Sequence, residues 1–386
     1  MTKIRILFVI PEYSHGGTNK SLENLLSFLN KEKYDIRIFS LHEDGGSYYK
    51  ETFKDSILKK SLMYRLAHDN YLTRKLANIY RIIAGWKNWA RLYKREVNII
   101  LKKYDIDLVI AFQEGASTYF ASYFPKEIRK IAWIHCDYFD WADSSQRQKD
   151  KHIYEFFERV VCVSETSRRS FCKVFPEYEK KSTFIYNTLD GNSIKRLSSD
   201  KTSTIDYCSD YFNIISVGRL SEVKQFVKIP SIVNSMGPEA INRIRWYIVG
   251  GGLQKDTIKN EINKYGLSNT IILLGSKDNP YPYIRQADLY VCTSLSESFS
   301  YTIFESKILH TPVLSNNFPV AYEVLDNQCG WICTIEEMPS LLTDIINDQG
   351  SIYSKVCESI NNYRYDNNEV VNKVYSILNN SSSHLL

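Results

Sequence analysis

No stretch of this 386-residue chain approaches 18 consecutive apolar residues, so it offers no membrane-spanning helix. Even the apolar run Ile4–Ile10 is interrupted by Arg5. Met1 leads straight into that strand-like segment. Charged, apolar and cleavage regions do not follow in order, so no secretory signal is expected. None of the eight cysteines (Cys136, Cys162, Cys172, Cys208, Cys292, Cys329, Cys333 and Cys357) forms a C-x-x-C pair. Cys162 and Cys292 sit inside apolar runs and read as small buried hydrophobes. Cys329 and Cys333 have no histidine at zinc-finger spacing. The expectation is a reduced, cytoplasmic chain with no metal site. An excess of one charge is also missing. The 49 basic and 44 acidic residues leave +5, too little to argue for a nucleic-acid partner. Residues 15–21 (HGGTNKS) lack the first glycine and the G-K step of a Walker A loop. Neither they nor Gly250–Gly252 satisfy G-x-G-x-x-G, which argues against an NTPase or a dinucleotide enzyme. No G-x-S-x-G supports a hydrolase triad.

What is present is a steady alternation. Apolar, β-branched runs occur at Ile4–Ile10, Asp35–Ser40, Leu108–Phe112, Lys130–Ile134, Val160–Val163 and Thr183–Tyr186. They resume at Phe212–Val217, Arg245–Val249, Ile271–Leu274, Leu289–Cys292 and Pro312–Leu314. Helical patterns lie between them, such as Ser21–Leu29, Lys255–Lys264 and Tyr301–Leu309. Near-continuous apolar strands separated by helices mean βαβ units and buried parallel sheets. At 45.0 kDa the chain suits two domains of roughly 150–200 residues. The polar, Ser- and Asp-rich stretch 191–210 reads as a linker. The expected organisation is an α/β chain with two Rossmann-like domains, at 1–192 and 212–364, whose parallel sheets face across a cleft. A linker spans 193–211. Residues 365–386 hold a last helical pattern, Asn367–Leu378, with no strand after it and free to cross back to the first domain.

One segment stands apart. Between Lys50 and Asp105 there are 14 Lys/Arg against 5 Asp/Glu. The pattern is helical and carries Phe53, Tyr64, Tyr71, Tyr80, Trp86, Trp89, Tyr93 and Tyr104. Two readings stay open. The aromatics pack inward and the charges are solvated, or the segment rests on an anionic membrane surface. At such a surface each basic residue contributes about 1 kcal/mol.

Several residues could carry chemistry. Glu297 and Glu305 lie in SLSESFSYTIFES, after the strand ADLYVCTS. Glu297 falls in the loop and Glu305 about one turn into the following helix, where open α/β sheets bind ligands. Carboxylates there accept hydrogen bonds from sugar diols, and amides near Ser300 and Tyr301 suit a phosphate. Two solvated glutamates are the plain alternative. Gly218, Arg219 and Lys224, in SVGRLSEVKQF, put two cations in a strand-to-helix loop. That suits a diphosphate or is simply a surface loop. Gly16–Gly17 allows close backbone approach at a helix start. His135 ends the strand KIAWIH, where a structural and a catalytic role weigh equally.

Taken in order, SVGRL with Lys224, IVGGG, ILLG, ADLYVCTSLSESFSYTIFES, TPVLS and Glu323 resemble the retaining GT-B nucleotide-sugar glycosyltransferases of the large family-four group. The likeness is dense over 212–335. It is looser in the first domain, through the Gly16–Gly17 pair, the His135 strand end, VCVSE and IYNTLD. The resemblance implies that Arg219 and Lys224 bind a donor diphosphate and that Glu297 lies near the donor sugar. It implies that Glu305 holds the nucleotide ribose and that His135 sits close to the reacting centre. Gly17 approaches the diphosphate, and the backbone at Ser300 and Tyr301 holds phosphate. Ser298 and Ser300 stand where the family often has glycine, and Asn187-Thr188 replaces its usual Asn-Gly. The implied reaction is transfer from a UDP- or GDP-sugar to a saccharide acceptor, lipid-linked, with retention and without cofactor or metal. No Asp-x-Asp is placed to bind Mg²⁺. The implied setting is capsule, O-antigen or other polysaccharide assembly at the inner face of the cell membrane. Two rivals remain: a nucleotide-sugar 2-epimerase of the same architecture, and a non-catalytic nucleotide-sugar-binding partner subunit.

Overall fold

A computed structural model describes residues 3–12, 17–42, 56–60, 87–200 and 207–379. Among them, twelve strands form two six-stranded parallel sheets. The first sheet contains β1 (Ile4–Ile10), β2 (Tyr34–Ser40), β3 (Leu108–Ala111), β4 (Arg129–Ile134), β5 (Arg159–Cys162) and β6 (Ser182–Phe184), in the order β2-β1-β3-β4-β5-β6. The second contains β7 (Phe212–Val217), β8 (Ile244–Val249), β9 (Ile271–Gly275), β10 (Leu289–Cys292), β11 (Val313–Asn316) and β12 (Gly330–Cys333), in the order β12-β11-β10-β7-β8-β9. The apolar runs become these strands because helices cover both faces of a parallel sheet. Ile6 to Ile10 and Leu108 to Ala111 are fully buried accordingly.

Each sheet has one place where the strand order reverses. It lies between β1 and β3 in the first and between β7 and β10 in the second. Loops leave in opposite directions there, opening a crevice at the carboxyl ends of the strands.

By its internal contacts the chain divides into Met1–Thr188 with Asn367–Leu386, and Leu189–Asp366. Two features differ from the expected organisation. The stretch read as a linker opens with a helix, Gly191–Leu197, whose first turn is capped by the Asp190 side chain on the Ser193 N–H (2.9 Å). Asn279 Nδ2 donates to Leu197 O (2.9 Å) and Arg285 to Ser199 Oγ (2.9 Å), so this segment belongs to the second unit. Its Ser and Asp content serves capping rather than disorder. Residues 201–206 of that stretch lie outside the described residues. The second feature is β12, unanticipated because GWIC is short and starts with glycine. A Cβ on Gly330 would stand 1.8 Å from Val313 O, so only glycine lets β12 pair with β11.

The closing helix, Asn367–Asn379, packs on the first unit through Val370, Val374 and Leu378. Tyr375 Oη donates to Phe28 O (3.1 Å), and Arg129 donates to Ile377 O and Leu378 O (2.9 Å each).

Of the basic segment, the helix Lys87–Lys103 is described. Phe53, Tyr64, Tyr71, Tyr80 and Trp86 lie outside the described residues, as does the Trp89 side chain. Tyr93 packs edge-on against Phe120 and Tyr123, while Val97 and Ile100 are buried. Arg91, Lys94, Arg95, Lys102 and Lys103 are exposed. Among the described residues, no helix is long and apolar enough to cross a membrane.

Candidate active site

The second unit gathers most of the singled-out residues at one sheet edge. The chain leaves β7 at Gly218 and runs beside the loop that leaves β8. Gly218 N–H donates to Val249 O (3.0 Å) and Leu220 N–H to Gly251 O (2.9 Å). This close approach needs glycine, since a Cβ on Gly250 would lie 1.8 Å from Gly218 O. Arg219 is exposed on this loop. Lys224 ends a short 3-10 turn, Glu222–Lys224, and its stem folds back over Gly218.

Lys224 Nζ forms an ion pair with Glu297 Oε1, from the loop after β10. Their side chains are 21% and 14% exposed. Ser294 Oγ also donates to Glu297 Oε1 (2.8 Å), and Thr293 Oγ1 donates to Lys224 O (2.7 Å). Burial pulls the pKa of the Lys224 ammonium down. The Glu297 carboxylate, with Cys292, more than offsets it, and the net shift is upward. The lysine is therefore a fixed cation at the switch point between β7 and β10.

Beyond Glu297 the chain turns through Ser300, whose φ of 60° and ψ of 68° are left-handed. Tyr301–Ile308 is the helix that follows. Phe299 stacks on Phe304 (4.6 Å between centroids) and locks the helix start. The first-turn N–H groups of a helix have no intrahelical acceptor and carry partial positive charge. Ser300 Oγ is buried without a hydrogen-bond partner among the described residues. Glu305 is 2% exposed, and Tyr281 Oη donates to its Oε1 (3.2 Å). The second unit thus brings together Gly218, Arg219, Lys224, Glu297, Ser300, Tyr301 and Glu305.

Gly17 and His135 lie on the first unit, also at carboxyl ends of strands. Gly17 is exposed and heads the helix Gly17–Phe28; residues 13–16 before it lie outside the described residues. Ser21 Oγ, one turn in, donates to Asn187 Oδ1 (2.5 Å), and Asn24 Nδ2 to Thr188 O (3.0 Å). His135 follows β4. Its Nε2 is sealed from solvent and has no partner among the described residues. Burial holds its pKa down to about 3, so the imidazole is neutral at physiological pH.

Glu114 was missed in the sequence. It is 6% exposed, and its Oε2 accepts the His135 main-chain N–H (2.8 Å). The only available signal was an acidic residue before glycine at the end of an apolar strand. All eight cysteines are free, and among the described residues no group of three or more His, Cys, Asp or Glu could hold a metal ion.

The chain matches two family models: glycosyl transferases group 1 over residues 208–364 and glycosyltransferase family 4 over residues 15–192. It is 26% identical over 172 residues to an uncharacterized glycosyltransferase of Methanocaldococcus jannaschii, covering 43% of this chain and 41% of that protein. It is 27% identical over 199 residues to an O-antigen biosynthesis glycosyltransferase of Escherichia coli, covering 50% and 52%. The chain thus spans about half the length of these curated relatives. In fold it is similar to an Anabaena protein crystallised with UDP, with a TM-score of 0.72 and 17% identity over 97% of this chain and 99% of that one. The two sheets are those of the GT-B architecture.

Proposed function

The chain belongs to the group 1 glycosyltransferases, and we propose that it moves a hexosyl group from a UDP- or GDP-sugar to a lipid-linked saccharide, with retention, in cell-surface polysaccharide assembly. The observation that carries this reading is the Lys224–Glu297 pair, set at a topological switch point beside the helix start at Ser300. A cation next to a carboxylate matches a phosphate next to a hydroxyl-bearing ring. The relatives support the setting: the Escherichia coli protein is named for O-antigen biosynthesis, and the Anabaena protein was crystallised with UDP.

In this mechanism the bond between the anomeric carbon and the phosphate oxygen breaks as the acceptor oxygen bonds on the same face. The acceptor proton passes to the departing phosphate. Arg219, Lys224 and the Ser300 and Tyr301 amides stabilise the charge that develops on the diphosphate. Preorganised donors of this kind contribute about 10²–10³ each in rate. With Lys224 held by Glu297 and Arg219 beside it, the proposed transfer calls on these cations rather than a metal ion. Glu297 accepts hydrogen bonds from the donor sugar and Glu305 from the ribose. On the first unit, Gly17 and His135 take the roles toward the donor that the family resemblance implies.

The basic face Arg91, Lys94, Arg95, Lys102 and Lys103 supports a further element, peripheral binding at the cytoplasmic face of an anionic membrane. Retention on anionic liposomes at low salt and release at high salt is the expected result.

The deciding experiment is a thermal-shift panel with UDP, GDP, ADP and NAD, with and without EDTA. Nucleotide at 100 times its dissociation constant adds about 2.7 kcal/mol. Stabilisation by UDP or GDP that EDTA leaves unchanged is expected. A shift with NAD alone, or with none, overturns the reading. Nucleotide binding without turnover on any acceptor would favour a partner subunit, and turnover of the donor to an epimer would favour a 2-epimerase.

A further inference from the structure

We infer that Glu114 is a positioning residue that holds His135 in place for transfer, an inference that rests on the function proposed above. The register shows where the need arises. β3 ends at Ala111, paired with Ala132, while β4 runs on to Ile134. The main-chain N–H of His135 therefore lies past the last ladder position that β3 supplies. The β3 loop turns back and meets it: Glu114 Oε2 accepts that N–H at 2.8 Å. The same loop holds the imidazole from the side, since the Phe112 ring lies 4.8 Å from it between centroids. At its far end the loop is fixed by Gly115, whose φ of +78° calls for glycine. A Cβ there would stand 3.6 Å from the Trp141 indole, so the helix Tyr138–Trp141 closes over the turn.

The Glu114 carboxyl group accepts from the His135 main-chain N–H, from its own main-chain N–H and from the Cys136 thiol. Burial raises the pKa of Glu114, against hydrogen bonds from the His135 amide and Cys136, with Asp150 adding repulsion. The structure keeps this costly group at 6% exposure, beside the switch point of the first sheet. What it secures is an imidazole held at ring and main chain, with Nε2 left without a partner among the described residues. Holding a reacting group at two points is how a site limits displacement, and a shift of about 1 Å can cost about 10² in rate.

The test uses the full chain and the variants Glu114→Gln, Glu114→Ala and Glu114→Asp. The activity probe is release of nucleoside diphosphate from the UDP- or GDP-hexose whose nucleotide stabilises the wild type, with water as acceptor. The second probe is the NMR titration of the His135 ring, identified by its loss in His135→Asn. Glu114→Gln keeps the acceptor and should retain kcat within about threefold. Glu114→Ala should lower kcat by about 10–100-fold with donor KM within about twofold. His135 should remain neutral down to pH 5 in the wild type and begin to titrate at higher pH in Glu114→Ala, where the space left by the side chain lets the ring shift toward water and relieves its burial. Unchanged kcat and His135 titration in Glu114→Ala would overturn the inference, as would equal losses in the Gln and Ala variants. If Glu114→Ala does not fold, Glu114→Asp, one methylene short, decides by the same two readouts. If the wild type binds no nucleotide, the proposed function fails. The titration alone then decides whether Glu114 holds His135.

Discussion

Both sheets are parallel and six-stranded with one switch point each, but their strand orders differ and they treat their carboxyl edges in opposite ways. On the second, the edge holds charge: Arg219 is exposed, and Lys224 and Glu297 stand paired. On the first, the edge holds groups that burial drives toward neutrality, His135 downward and Glu114 upward in pKa. The lesson concerns the chemistry each edge can perform. Fixed charges hold a charged ligand, whereas a neutral imidazole whose Nε2 has no partner among the described residues can contact hydroxyls without demanding a counter-ion.

The sharpest way to break this comparison is to remove the charge. Lys224→Ala should lower turnover by about 10²–10³ and abolish stabilisation by the nucleoside diphosphate. Nucleotide-induced shifts equal to those of the wild type would show that the second edge does not use its cation as argued. Stability should fall as well. Breaking a fully buried pair costs about 3–5 kcal/mol, and the residual exposure of these side chains lowers the expectation to about 2. Because Glu297 is then left without its cation, Lys224→Ala with Glu297→Ala should cost less than the sum of the two single changes. A denaturant double-mutant cycle reads this, and strict additivity would mean the pair is not coupled.

The neutral edge is probed by acid. The unfolded chain takes a proton on this histidine near pH 6.5, while folded His135 resists it until about 3. The unfolded state therefore binds more protons below pH 6.5, and stability falls as pH drops. By pH 5 the loss from this one group is about 2 kcal/mol. Urea midpoints of His135→Gln should show a correspondingly shallower acid slope, and matching slopes would remove His135 from the account. The smallest effect is expected at Ser300. Its left-handed backbone suits glycine, so Ser300→Gly should gain about 1 kcal/mol of stability. A lower melting temperature would mean that Ser300 Oγ makes a contact that offsets the strain.

Much of this was legible in the sequence, and the limits have physical causes. Eleven apolar runs became strands because parallel strands buried on both faces leave an unbroken hydrophobic signature. β12 escaped because its identity depends on a close approach at Gly330, which no local pattern reports. The helix Gly191–Leu197 was hidden by its own caps, since Asp and Ser serve caps and linkers alike. In the site, motif order located Lys224 and Glu297, but their pairing across 73 residues is a fact of the sheet order. Glu114 was illegible for the same reason. Its partner is a main-chain amide 21 residues away, and backbone groups leave no trace in residue identities.

The helix Asn367–Asn379 has a consequence for how the chain is made. It packs on the first unit, yet the ribosome synthesises it only after the whole of the second unit. At about 5–20 residues per second, the stretch Leu189–Asp366 takes roughly 10–35 s to emerge. During that time the second unit can complete itself, while the first waits with the Tyr34, Arg129 and Phe28 contacts for its missing helix unmade. The order of maturation is therefore the reverse of the order of synthesis. A nascent chain stalled before Asn367 would present an open apolar seam to chaperones, and one carried past Asn379 would close it with this helix.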